Sequence, residues 1–127
     1  MKTLCIIGLF LLMLGCKPST PETTYPVFFE WTAVGEHGNT GTATVYDMRV
    51  ALDSLTLLKW ANAKQLIGLP IPSIAGTLEH YSTKVVPNIT YYFALKVVNK
   101  DGKWSDISNI KKFNSDLSVS NMIYFNR

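Results

Sequence analysis

The sequence predicts an all-β fold, an antiparallel sandwich or small barrel, on three observations. Short segments alternate apolar and polar residues at period two. Glycine, proline and asparagine punctuate the intervals, and neither an internal repeat nor a convincing long helix interrupts the series. In the first segment Val27, Phe29 and Trp31 alternate with Phe28, Glu30 and Thr32, as a half-buried strand requires. Gly35 to Gly41 is a polar loop too rich in glycine for helix. Thr44 to Leu52 is a second strand, with Tyr46, Met48 and Val50 on one face and Asp47 and Arg49 on the other. Alternation with core residues assigns Glu30, Asp47 and Arg49 to the solvent face. Leu55 to Gln65 has some helical spacing, but Gly68-Leu69-Pro70-Ile71-Pro72 ends any regular element, so residues 53 to 76 are expected to form one or two short edge strands with loops. Leu78 to Val85 reads as extended with its register open, His80 being half-buried and hydrogen-bonded. Thr90 to Val98 is the strongest strand, with Tyr91, Phe93, Leu95 and Val97 on one face and Tyr92, Ala94, Lys96 and Val98 on the other. Asp101-Gly102 supplies a turn, and Ile107 to Phe113 is the last strand of the series.

The chain has 127 residues, enough for one domain, and its start does not read as fold. Met1-Lys2-Thr3 is a short basic opening, and Leu4 to Leu14 is an apolar run. That run is shorter than the roughly 20 residues a membrane span needs. This is the pattern of a secretory leader. Its end, Met13-Leu14-Gly15-Cys16, resembles the lipobox of bacterial lipoproteins, with Met13 where leucine is usual. The resemblance implies cleavage after Gly15 and lipid on Cys16, followed by a tether through residue 26 that is rich in proline and threonine. Two or three acyl chains bury enough methylenes, at roughly 0.8 kcal/mol each, to hold such a chain on a membrane. The expected address is the cell envelope, and Lys17 in place of an aspartate leans it to the outer membrane. Cys5 and Cys16 are the two cysteines of the chain, so a processed domain has neither a disulfide nor a thiol nucleophile. Losing Lys2 with the leader leaves 11 basic against 9 acidic residues, a balance that does not point to nucleic acid.

Particular residues go further. Trp31, then Val34-Gly35-Glu36-His37-Gly38-Asn39-Thr40-Gly41-Thr42-Ala43-Thr44-Val45-Tyr46-Asp47-Met48-Arg49, resembles the opening half of bacterial fibronectin type III modules. Val86-Pro87-Asn88-Ile89-Thr90-Tyr91-Tyr92-Phe93-Ala94-Leu95-Lys96 is similar to the stretch before and into that family's sixth strand. Asp101-Gly102-Lys103-Trp104-Ser105-Asp106-Ile107-Ser108-Asn109 resembles its passage into the seventh. The likeness covers residues 27 to 113 and implies an immunoglobulin-like antiparallel β-sandwich. It also implies that Trp31 fills the space between the sheets, that the Tyr91 hydroxyl bonds back to nearby backbone, and that Trp104 covers one end of the core. The departure is at the front, where ten residues with three prolines leave no room for a first strand, strand A. The tail, residues 114 to 127, offers a substitute: Leu117 to Phe125 is too apolar for a normal solvated end and is expected to fold back, beside the strand at Val27 or onto the other sheet. The competing expectation is a disordered tail on the head of a longer protein.

No catalytic set is legible. His37 and His80 lie far apart in the pattern; Glu36 with His37, or Glu36, Asn39 and Asp47 together, supply too few ligands for zinc or calcium. The glycine-rich loop lacks the lysine and the helix of a phosphate site. No cofactor is expected. The reading is a non-catalytic, lipid-anchored module that binds a protein or glycan or serves as a structural accessory; the alternative is a piece or accessory of a larger secreted hydrolase. A ligand is expected on the exposed loops or on the face that carries Arg49, Tyr92 and Lys96.

Overall fold

In the computed structural model the described residues are 21–116 and 121–126. The leader, Cys16, the start of the tether and Leu117 to Ser120 of the tail lie outside them. The first strand, β1 (Tyr25–Thr32), takes in two residues expected in the tether, and buries Val27, Phe29 and Trp31 on one face. Next come β2 (Val45–Ala51), a short helix α1 (Ser54–Leu58), a 3₁₀ turn at Trp60–Asn62 and a two-residue strand β3 (Lys64–Gln65). The series ends with β4 (Leu78–Val85), β5 (Thr90–Val98), β6 (Lys111–Asn114) and β7 (Met122–Phe125). They form two sheets, ordered β4-β1-β7 and β3-β2-β5-β6, packed as an all-β sandwich.

The tail does fold back beside β1, in the place a first strand would occupy. Its direction follows from the path of the chain. β5 runs away from the pole where β1 begins and β6 runs back to it, so β7 sets out from that proximal pole in the direction of β1. The pairing is therefore parallel, Phe29 opposite Ile123 and Trp31 opposite Phe125, whereas β4 pairs with β1 antiparallel. Ile123 and Phe125 turn inward and are buried. Burial of side chains this size is worth about 1.5–3 kcal/mol each. Phe125 stacks on Phe29 at 5.8 Å between ring centroids, and Phe93 meets Phe29 edge-on at 4.8 Å from the facing sheet. Trp31 fills the next layer, edge-on to Tyr46 at 5.1 Å.

A buried serine holds the proximal pole. Ser115 Oγ accepts from the Ile89 N–H at 2.8 Å and lies 2.7 Å from the Val86 and Ile89 carbonyls. Its backbone N–H donates to Ile89, and its carbonyl accepts from the Asn88 N–H and the Tyr25 hydroxyl. The start of β1, the β4–β5 turn and the departure toward β7 thus meet on one residue. The Tyr91 hydroxyl accepts from the Val86 N–H at 3.1 Å and ties down the same turn.

Three expectations about the strands and their register need correction. The register left open in β4 resolves with Glu79 and Val85 buried and His80 exposed, not half-buried; His80 is hydrogen-bonded to Glu30 at 3.0 Å. Residues 53 to 65 hold a helix and a 3₁₀ turn before their one short strand, because the Asp53 carboxylate caps α1 through the Thr56 N–H and Leu57 is fully buried against the sheet. The last strand of the series begins at Lys111, not Ile107. Upstream, Ser105 and Ser108 each donate a backbone N–H to β5, to Val97 and Leu95 respectively. Each then accepts, through Oγ, the N–H of that same β5 residue, at 3.0 and 2.9 Å. Spacing of three keeps both hydroxyls on one side, as in a polyproline-type stretch, and makes a regular strand unnecessary there.

Ser108→Ala is predicted to cost about 1–3 kcal/mol in urea unfolding, because it removes the buried hydroxyl that accepts from the Leu95 N–H, while Ser108→Thr retains part of that stability. Trp31→Ala is predicted to cost about 3–5 kcal/mol by leaving a cavity between the sheets. An unchanged melting temperature for Trp31→Ala would contradict the assigned core.

Candidate functional site

The face named from the sequence exists, and it is covered. Arg49, Tyr92 and Lys96 share the outer surface of the four-stranded sheet, and the chain after α1 lays Trp60 across them. Arg49 NH1 donates to the Trp60 and Ala63 carbonyls at 3.0 and 3.4 Å. Its Nε and NH2 reach the Asp47 carboxylate at 3.0 Å each. Trp60 Nε1 donates to the same carboxylate at 3.0 Å. The Arg49 guanidinium and the Lys96 ammonium lie 5.4 and 4.8 Å from the Trp60 ring centroid, within cation–π range. Tyr92 packs with Trp60, Ile107 and Ile110 around buried Leu57, Ala51, Ala63 and Ala94. The outer face of this sheet is a second, smaller core.

Asp47 is accordingly not on the solvent face: it is 2% exposed. Alternation along β2 does point it away from the main core, but the sheet has a third layer on that side, and the carboxylate's desolvation is offset by an adjacent cation and an indole donor. Glu79 is a buried acid that the sequence reading did not single out. It accepts from the Tyr46 hydroxyl and the Ser73 N–H at 2.9 Å and from Ser73 Oγ at 3.1 Å, which pins the 66–77 crossover onto the core. Its signal was the open register of β4: a glutamate turned inward requires donors, and they come from remote sequence.

The exposed loops gather at the distal pole. Residues 33–44, the end of the 66–77 crossover and the 99–104 turn meet there. The first two are linked by hydrogen bonds from Ala33 to Thr77, Ala75 to Gly41 and Gly76 to Ala33, and the third by the Lys100–Glu36 ion pair. Gly35 admits no side chain, since a Cβ there would stand 1.8 Å from the Thr40 carbonyl oxygen. That tight turn presents Glu36 and His37. Glu36 Oε1 lies 3.0 Å from Lys100 Nζ and 3.2 Å from His37 Nε2. The contact with Glu36 holds the Lys100 ammonium pKa above its ordinary value. Gly35, Glu36, His37, Asn99, Lys103 and Trp104 line a cleft of about 360 Å³. Trp104 was expected to cover the end of the core, yet it is half-exposed, because its bridge to Val98 places it beside the sheet edge. Ile71 and Ile74 stand exposed on the neighbouring crossover.

Among the described residues no group of three or more His, Cys, Asp or Glu side chains is placed to hold a metal ion. Asp47 lies on the outer sheet face, away from Glu36 and Asn39, so that trio is not brought together. The distal loops, by contrast, set an indole, an amide and several charges around a shallow cleft, and expose Ile71 and Ile74 on the separate 66–77 crossover, an assortment that suits recognition of a partner surface. No protein-family model matches the chain, and no curated protein or solved structure is significantly similar to it.

Asp47→Ala is predicted to destabilise the domain by about 3 kcal/mol, since it strands the Arg49 charge and the Trp60 N–H under cover. Trp104→Ala, by contrast, is predicted to shift stability by under about 1 kcal/mol. Equal losses in the two variants, read from urea titrations, would contradict this division between packing and surface.

Proposed function

We propose that the chain is a non-catalytic, lipid-anchored module of the bacterial envelope that presents its distal loops to a partner. The observation that carries this reading is polarity. The polypeptide enters the sandwich from the Cys16 side at one pole, and Ile71, Ile74 and Trp104 are exposed at the other. A tether at one end leaves the far loops most accessible, and loops on a rigid sandwich are common carriers of recognition. The fibronectin type III resemblance is part of the proposal. Burial of Trp31 between the sheets, the Tyr91 hydroxyl bonded to the Val86 N–H, and the paired serines after Trp104 all support it. Among the described residues no helix is long and apolar enough to cross a membrane.

Two measurements test the reading. Cys16→Ser should move the protein from the membrane to the soluble fraction; retention in the membrane would remove the lipid anchor from the account. A partner enriched from detergent-solubilised envelope by the wild-type chain should be lost with a triple Ile71→Ser, Ile74→Ser, Trp104→Ala variant that melts normally. A partner retained by that variant would place recognition elsewhere.

A further inference from the structure

Helix α1 is apolar on two sides. Leu57 points into the sheet and is fully buried, whereas Leu52, Leu55 and Leu58 remain 63–70% exposed. Their spacing of three puts Leu55 and Leu58 on one face of the helix, with Leu52 just before its cap. Three exposed leucines in so short a stretch form a patch rather than the scattered apolar residues of an ordinary surface. The exposed isoleucines of the distal crossover are the rival patch, but they lie far from the tether.

The leucines lie near the proximal pole. Leu52 shares a groove of about 550 Å³ with Lys64, Lys84 and Val85, and Lys84 sits opposite Pro26 at the start of β1. Lys59, Lys64 and Lys84 are exposed around the patch. Asp53 is the nearby acid, and its carboxylate is engaged by the Thr56 N–H and hydroxyl, which hold its pKa below the usual carboxylate range. Glu22 and Asp116 are exposed elsewhere on the same pole. Eight residues separate Cys16 from Tyr25. Fully extended they reach about 30 Å, so a lipid on Cys16 confines this pole to the neighbourhood of the bilayer. Apolar side chains ringed by lysines, held close to a membrane, match the chemistry of an anionic lipid surface.

We infer that Leu52, Leu55 and Leu58 bed into the membrane that anchors the chain, with Lys59, Lys64 and Lys84 against its anionic headgroups. This rests on the proposed lipidation of Cys16. The domain then lies with α1 down, and the distal loops face away from the bilayer. A second copy of the chain is the competing occupant of the patch.

The processed chain has no cysteine besides Cys16, so Leu55→Cys provides a single site for an environment-sensitive fluorophore on the lipidated, full protein. Asn39→Cys provides a distal control. Both proteins are reconstituted in vesicles of phosphatidylethanolamine and phosphatidylglycerol that contain a nitroxide-labelled phosphatidylcholine. The label at position 55 should be blue-shifted and quenched severalfold more than the label at 39. Replacing phosphatidylglycerol with phosphatidylcholine should reduce that difference. Equal quenching at the two positions, in protein that floats with the vesicles, would overturn the inference and leave the anchor intact. A blue shift at position 55 that grows with protein density but is not quenched by the nitroxide lipid would assign the patch to a second copy, and would also overturn it. Failure to float at all would remove the lipid anchor and the inference together.

Discussion

The sandwich depends on β1 being paired along both edges. Val27, Phe29 and Trp31 are buried on its inner face, so it lies mid-sheet over the core, where unpaired N–H and C=O groups are costly. β4 covers one edge. The other falls to the end of the chain, since the residues before Tyr25 form no strand among those described. Once the tail takes that place, the rest of the proximal pole follows. The turn out of β6 must pass the start of β1, and Ser115 is the small buried hydroxyl that reconciles the backbone groups meeting there. Asn121, at the mouth of β7, donates its side-chain amide to the Pro26 carbonyl at 2.8 Å and fixes the new strand at its first residues.

The two faces of the four-stranded sheet have different chemistries. Inward it contributes Met48, Phe93, Leu95 and Val97 to an apolar core shared with the other sheet. Outward it carries a carboxylate, two cations and an aromatic ring, closed over by Trp60. That arrangement explains why both faces of β5 are largely buried although one bears a lysine: the ammonium lies over the indole, and its carbon stem packs below. It also explains why so short a helix is stable. α1 has too few residues to hold itself, so its order comes from Leu57 beneath and the Asp53 cap at its start.

Much of this was legible in the sequence, for reasons that can be named. Strands with one apolar face, such as Val27 to Thr32, announce themselves through period two, and the apolar tail announced a strand because burial was the use its side chains had. The parallel direction of β7 follows from the path of β6, which a list of segments does not contain. Asp47 was misplaced because alternation tells which way a side chain points but not what lies on that side; Trp60 is remote in sequence. β4 mixes small polar residues with aromatics on alternate positions, so its pattern cannot choose a register until β1 sets it. Asp53-Ser54-Leu55-Thr56 did carry a helix-start signal. What was weighed against the glycine and prolines downstream was the helical spacing from Leu55, and those residues end the element rather than forbid it. Alternation put Arg49, Tyr92 and Lys96 on one face, but the Trp60 layer that covers it comes from remote sequence and was not legible. Nor was the exposure of Trp104, since it depends on the two serines that hold the following backbone against β5.

The proposed function divides the molecule into attachment at one pole and recognition at the other; the sandwich between them rests on the last strand. Amide hydrogen exchange on the chain truncated after Ser115, compared with the full protein, tests that dependence most directly. Loss of β7 should raise exchange throughout Val27 to Thr32 and lower the melting temperature, with β5 retaining the slowest amides. Unchanged protection in Val27 to Thr32 and an unchanged melting temperature would contradict the assignment of the tail as the strand that completes the fold.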